Sequence, residues 1–146
     1  MEMSLSRKAL NVFSILDLVF GILAMAFGVL LLAATGVIAT DPGLSAEFAQ
    51  QIGAITVVGG AFAAIIAEGL GTVLEGVLGR IAVKNPEKVM PIWYFSIFAL
   101  VLSAVDLVLG FVNQLELGTI MIRVLSAAFQ VVLFLIVNNV KKEAGK

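Results

Sequence analysis

The hydrophobic positions of this chain fall into four long runs that short polar connections separate. The runs cover residues 9–35, 52–83, 91–112 and 117–137. Each run reaches or exceeds the about 20 residues that a helix needs to cross the hydrocarbon of a bilayer. The runs are too long and too continuously apolar for the strands of a membrane barrel, which alternate over about 10 residues. The pattern therefore predicts an all-α membrane protein, a four-transmembrane-helix bundle that forms a single domain over residues 1–146.

Composition supports a membrane location and excludes several kinds of function. The chain is 61% hydrophobic and 13% charged, with a mean hydropathy of +1.13, whereas soluble domains are roughly 45–50% apolar and about 25% charged. It has no cysteine and no histidine, which removes the usual metal ligands, the usual general base and the thiol nucleophile. A net charge of −1 gives no sign of a nucleic-acid partner. We therefore expect no enzymatic activity, no metal and no cofactor.

The basic residues predict the orientation of the chain in the membrane. Of the nine Lys and Arg residues, all except Arg123 lie in the N-terminal segment, at the second connection or in the C-terminal tail. The first and third connections carry only acids, namely Asp41, Glu47 and Glu116. Positively charged segments stay on the cytoplasmic side. We expect both termini to be cytoplasmic, in a plasma membrane or a bacterial inner membrane.

Two stretches of the chain resemble each other and predict an internal repeat. The first is "SILDLVFGIL" and the second is "SAVDLVLGFV", and both place an aspartate inside an apolar run. The second and fourth runs match more weakly, with Glu75 opposite Gln130 and Glu68 opposite Arg123. The pattern predicts two helical hairpins related by duplication. The main matched pairs are Ser14 with Ser103, Asp17 with Asp106 and Gly21 with Gly110.

Small and polar residues recur along one face of each predicted helix at helical spacing. Small residues allow helices to approach closely in lipid, and polar side chains among them form hydrogen bonds between helices. We expect these faces at helix contacts inside the bundle or at an oligomer interface. The predicted packing residues are Gly21, Ala24 and Gly28 in the first helix, Gly60, Ala64, Ala67 and Gly71 in the second, and Ser103 and Gly110 in the third.

Charged residues inside the runs predict an intramembrane polar network. Asp106 precedes the third connection by as many residues as Arg123 follows it, so an antiparallel hairpin places both at one height. An isolated charge at mid-helix costs about 2.5–3.5 kcal/mol, and we therefore predict an ion pair between them. The pair either sets the register of the hairpin or acts as a gate or charged-substrate site. The full predicted network is Asp17, Glu68, Glu75, Asp106, Arg123 and Gln130.

The remaining acids outnumber the available cations. The same reasoning on the first hairpin places Asp17 near Glu68 or, after a shift of one turn, near Glu75. Adjacent carboxylates in a medium of low dielectric constant cannot all be ionised. A protonatable pair suits proton coupling or cation binding. The other interpretation is a protonated Glu that only forms a hydrogen bond to a neighbouring helix.

The segment "AIIAEGLGTVLEG" resembles the first helix of the small multidrug resistance transporters. In that family an essential Glu lies in an A-E-x-x-G-T context and exchanges protons for cationic drugs. The resemblance implies that Glu68 would be the exchanging acid, with Ala67, Gly71 and Thr72 around it. It covers about a dozen of the 146 residues and falls on the second helix rather than the first, so it does not assign the chain to that family.

Two functions agree with these patterns. The favoured hypothesis is a small non-enzymatic membrane protein that packs against itself or a partner, in an accessory, scaffold or assembly role. The alternative is an oligomeric small transporter, coupled to protons or cations through its intramembrane carboxylates. Both hypotheses expect the lipid bilayer and either a homo-oligomer or another membrane protein as partners.

Overall fold

A computed structural model describes the chain over residues 3–40, 52–113 and 115–145. Within residues 34–40 and 52–60 only the helical backbone is described. Asp41 and Glu47, the acids of the first connection, lie outside the described residues.

Four long α-helices account for nearly all of the described residues. They are α1 (Leu5–Thr40), α2 (Ile52–Lys84), α3 (Met90–Val112) and α4 (Leu117–Glu143), and a short 3-10 helix at Pro86–Lys88 connects α2 to α3. All four helices are long and apolar enough to cross a membrane. The structure thus confirms the predicted fold class, an all-α membrane protein with four membrane-spanning helices.

The helices extend beyond the apolar runs at the two chain ends. α1 begins at Leu5 and runs to Thr40, and α4 continues to Glu143. Backbone hydrogen bonds of a helix continue through polar residues once the first turns exist. Lys141 and Lys142 also lie in the last turn of α4, where positive charge interacts favourably with the helix dipole. The apolar runs mark the spans, and the helices are longer than the spans.

The second connection is ordered by a local cap. Asn85 accepts a hydrogen bond from the backbone N–H of Glu87 at 3.2 Å, and Pro86 starts the 3-10 helix. Pro91 occupies the first turn of α3, where its missing N–H leaves no helical hydrogen bond unmade. These residues turn the chain from α2 into α3 within a few positions.

Most of the helical surface faces outward. Only 11–17% of the most apolar window in each span is buried. The exposed side chains are mainly large and aliphatic or aromatic, such as Phe27, Val108 and Leu125. Such a surface is stable in hydrocarbon, where the solvent is itself apolar. The pattern is that of an integral membrane protein.

The chain divides into two compact units. The terminal unit comprises Met1–Leu16 and Glu75–Lys146, and the hairpin unit comprises Asp17–Leu74. In the terminal unit α3 packs against α4 along its length. Whether the whole chain behaves as one domain stays a prediction.

The core of the terminal unit lies where the start of α1, the end of α2, the start of α3 and the end of α4 meet. Arg7 donates two hydrogen bonds to the carbonyl of Val83, from Nε at 3.1 Å and from Nη2 at 2.5 Å. Ser4 donates to a carboxylate oxygen of Glu143 at 2.5 Å. These bonds join the helix ends around the apolar core. The core residues are Leu10, Ala82, Val83, Val89, Ile92, Leu133, Val137 and Val140.

Candidate functional site

Arg123 and Asp106 form the ion pair that the register of the α3–α4 hairpin predicts. Nη1 of Arg123 lies 2.5 Å from Oδ1 of Asp106 and also donates to the Asp106 carbonyl oxygen at 2.6 Å. Gly110 makes room for this arrangement, since a Cβ at that position would approach Cδ of Arg123 to 3.1 Å. A single guanidinium group therefore satisfies both a side chain and a backbone carbonyl of the facing helix.

The ion pair faces outward rather than into the core. The side chain of Asp106 is 56% exposed and that of Arg123 is 26% exposed. In a bilayer such a surface faces lipid or a neighbouring protein. The pair therefore places polarity on the outer surface of the terminal unit, inside two membrane spans.

Glu75 and Gln130 meet inside the terminal unit, on α2 and α4. Nε2 of Gln130 donates to Oε2 of Glu75 at 3.1 Å, and Glu75 is only 3% exposed. Within the described part of the chain, neither Oε1 of Glu75 nor Oε1 of Gln130 has a hydrogen-bond partner, although both atoms are buried. Both are acceptors of hydrogen bonds. The site thus contains two buried oxygens that lack a donor.

Other described side chains of the terminal unit make contacts of their own. The rings of Phe13 and Phe129 pack with their centroids 4.9 Å apart, and Phe129 directly precedes Gln130. Ser14 is buried, and its hydroxyl donates to the carbonyl of Leu10 at 2.7 Å. The Ser14 proton is therefore committed to the backbone.

The arginine of α2, Arg80, is also engaged. Nη1 of Arg80 donates to the side-chain oxygen of Asn11 at 2.6 Å. This contact between α2 and α1 was not among the predicted network. Arg80 lies close to the end of its span, and the signal that could have found the pair is its position opposite the polar start of α1.

The other two predicted acids differ in their surroundings. Asp17 is 3% exposed, on α1 in the hairpin unit. Glu68 is exposed on α2. Its backbone carbonyl accepts a hydrogen bond from the Thr72 hydroxyl at 3.0 Å. The pairing of Asp17 with Glu68 or with Glu75 stays a prediction.

The small residues of α1 lie at a close contact with α2 in the hairpin unit. Gly21 and Gly28 are buried, and Ala24 is half-buried. A Cβ at Gly21 would lie 2.7 Å from the carbonyl oxygen of Gly69, and a Cβ at Gly69 would lie 2.8 Å from that of Gly21. The two backbones therefore touch, as small residues in membrane helices permit.

Gly69 was missed by the sequence pattern, and a signal for it exists. Gly69, Gly76 and Gly79 are all buried on α2, and their spacing of seven and three residues places them on one helical face. A Cβ at Gly79 would overlap the Ser14 hydroxyl. α2 thus carries two small-residue faces. The face formed by Gly69, Gly76 and Gly79, which we call the Gly69 face, makes the helix contacts.

The other small-residue face of α2, which we call the α2 stripe, consists of Gly60, Ala64, Ala67 and Gly71. Ala64 and Ala67 are exposed, and a Cβ at Gly71 would have no atom of the described residues within 4 Å. Gly60 belongs to α2, but its surroundings lie outside the described residues. The described part of the α2 stripe is uncovered.

The positions matched in the predicted repeat do not share one environment. Asp17 is 3% exposed, whereas its counterpart Asp106 has a side chain that is 56% exposed. Ser103 on α3 is half-buried and Gly110 is buried. Glu75 and Gln130, which are also matched, contact each other. The duplication itself stays a prediction.

The described residues contain no group of three or more Asp, Glu, His or Cys side chains that could hold a metal ion. The chemistry that the site offers is therefore that of single carboxylates, one amide and one guanidinium group.

No protein-family model, curated protein or solved structure matches this chain. The functional conclusion therefore depends on the residues alone.

Proposed function

We propose that this chain is a non-enzymatic integral membrane protein that acts by packing its helices against a second copy or another membrane protein, in an accessory, scaffold or assembly role. The observation that carries the proposal is the uncovered α2 stripe. Ala64 and Ala67 are exposed, a Cβ at Gly71 would meet no described atom within 4 Å, and all three residues lie within an apolar span. Small-residue faces are the usual contact surfaces of membrane helices.

Glu68 supports the same proposal. This acid is exposed within the α2 span, beside the α2 stripe. Acids within membrane spans are rare and usually face a protein interior or a water-filled cavity, because hydrocarbon solvates them poorly. A helix docked on the stripe would cover Glu68 and could donate a hydrogen bond to it. The outward-facing Asp106–Arg123 pair gives a second polar point of contact.

Cysteine cross-linking tests the proposal directly, because the chain has no cysteine of its own. Ala67→Cys places one thiol on the α2 stripe. Ala128→Cys is the matched control, since Ala128 is an exposed alanine on α4. In lipid vesicles, oxidation should give a disulfide-linked dimer with Ala67→Cys if a second copy docks there. In native membranes, a thiol-reactive cross-linker should capture another membrane protein if the partner is different.

The control decides the outcome of that experiment. Ala128→Cys should stay monomeric and unlinked under the same conditions, because the residues on its helical face, such as Leu125 and Val132, are large and exposed rather than small. Equal cross-linking of the two variants, or none with either, would contradict a docking role for the α2 stripe.

We also propose that both termini are cytoplasmic and that the protein resides in a plasma membrane or a bacterial inner membrane. The support is the clustering of basic residues at the termini and at the second connection. The second connection and both termini then carry the positive charge on one side.

A second candidate function is an oligomeric transporter coupled to protons or cations. The observation that favours it is Glu75, a carboxyl group buried within a span beside Gln130. Four helices are few to enclose a substrate path, so this function also needs an oligomer. It requires that vesicles containing the protein dissipate an imposed proton or cation gradient, which a purely structural protein leaves intact.

A further inference from the structure

We propose that Glu75 and Gln130 form a proton-binding site within the membrane, in which a proton on Oε1 of Glu75 is donated to Oε1 of Gln130. The two groups are already joined by one hydrogen bond, from Nε2 of Gln130 to Oε2 of Glu75 at 3.1 Å. The atoms left over are one oxygen of each group, and both are buried without a donor among the described residues. One proton supplies the donor that both oxygens lack.

The chemistry of the two side chains accounts for this arrangement. An ionised carboxylate and an amide oxygen are both acceptors, so they cannot bond to each other. A protonated carboxyl group carries one donor and one acceptor, which complements the donor and acceptor of an amide. Acid and amide then form two parallel hydrogen bonds. The step is the addition of one proton to the Glu75 carboxylate, with no other bond made or broken.

Charge balance favours the protonated form over an ionised one. Burial of an ionised carboxylate needs a partner cation or several hydrogen-bond donors. The arginine of α4, Arg123, is bonded to Asp106, and the arginine of α2, Arg80, is bonded to Asn11. The Glu75 carboxylate has one neutral amide donor in the described structure. Protonation removes the charge that this environment cannot compensate.

Among the described residues, the groups that could compete for the proton lie on α1 and α3. On α1, the Ser14 hydroxyl donates to the carbonyl of Leu10 and is not free to donate to the acid. Asp17 is the next titratable residue along α1 and is itself buried. On α3 the acid within the span is Asp106, which is held by Arg123. The test therefore has to separate Glu75 from Asp17.

Infrared spectroscopy of the full chain in lipid vesicles at neutral pH tests the proposal. Wild-type protein should show the carbonyl band of a protonated carboxylic acid, and the band should shift on exchange into deuterated water. Glu75→Gln should lose one component of this band entirely. Glu116→Gln, which changes an exposed glutamate just before α4, and Asp17→Asn should both retain that component.

Stability gives an independent readout. Glutamine has the shape and the hydrogen-bonding pattern of a protonated glutamate closely enough that Glu75→Gln should leave the Tm unchanged. Gln130→Leu keeps the acid and removes its amide partner, so it should shift the acid band to higher frequency without abolishing it. This variant tests the pair even if Glu75→Gln does not fold.

Three results would overturn the proposal. The first is loss of a carboxylate band, rather than an acid band, in Glu75→Gln. The second is an acid band that appears only when sodium or potassium is removed, which would assign the site to a metal cation. The third is an unchanged acid band in Gln130→Leu. None of these results bears on docking at the α2 stripe, which is tested by cross-linking.

Discussion

The guanidinium group of Arg123 lies within the span of α4, and both of the hydrogen bonds that it makes in the described structure go to Asp106. Arg123→Leu would leave Asp106 as an unpaired carboxylate within a membrane helix. We expect this change to lower the free energy of unfolding by about 2–3 kcal/mol, close to the cost of a charge at mid-helix. Unfolding in bicelles, followed by circular dichroism, measures the loss.

The double variant is the control for that prediction. Asp106→Leu together with Arg123→Leu removes both charges, so most of the lost stability should return. A wild-type stability for Arg123→Leu alone would mean that the pair contributes nothing to the fold. The other predicted role of the pair, as a gate or a site for a charged substrate, would then be the one that remains.

The two residue pairs differ in how far the sequence could predict them. Asp106 and Arg123 lie on consecutive helices whose short connection sets their register, so counting residues was sufficient. Glu75 and Gln130 lie on α2 and α4, with all of α3 between them in the chain. No connection sets the relative rotation of those helices. The repeat matched these two residues but gave no reason for them to touch.

At the scale of a helix, the two small-residue faces of α2 predict opposite responses to the same change. Gly69→Ala would place a Cβ 2.8 Å from the Gly21 carbonyl oxygen, which is backbone and cannot move aside cheaply. We expect a loss of about 1–3 kcal/mol, as for other overpacked sites. Gly71→Ala meets open space and should be neutral or stabilise the helix by up to about 1 kcal/mol.

The same unfolding measurement compares the two alanine variants. Because they lie two residues apart on one helix, differences in helix propensity and membrane depth are small. Equal effects of Gly69→Ala and Gly71→Ala would contradict the assignment of the Gly69 face as the contact with α1. A gain for Gly71→Ala together with a loss for Gly69→Ala would support it.

The elements themselves were predictable because length and continuous apolarity leave few alternatives in a membrane. The start of α1 and the end of α4 were not predictable in this way. Both helices continue through polar residues outside the apolar runs, from Leu5 in α1 and as far as Glu143 in α4. The contact face of α2 was ambiguous for another reason. The α2 stripe and the Gly69 face have the same kind of residue at the same helical spacing, and only the helix packed against one of them distinguishes the two.

At the scale of the whole molecule, the distribution of charge predicts a sidedness that labelling can measure. A cysteine-free chain accepts single thiols at Ser6, Ala144 and Glu116. Positively charged segments remain cytoplasmic because moving them across the membrane is unfavourable. In intact cells, a membrane-impermeant maleimide should therefore label Glu116→Cys at once and label Ser6→Cys and Ala144→Cys only after permeabilisation. Leu133→Cys, at a fully buried core position, should stay unlabelled in both states. Labelling of both terminal cysteines in intact cells, with Glu116→Cys protected, would reverse the orientation, and labelling of only one terminus would contradict four membrane crossings.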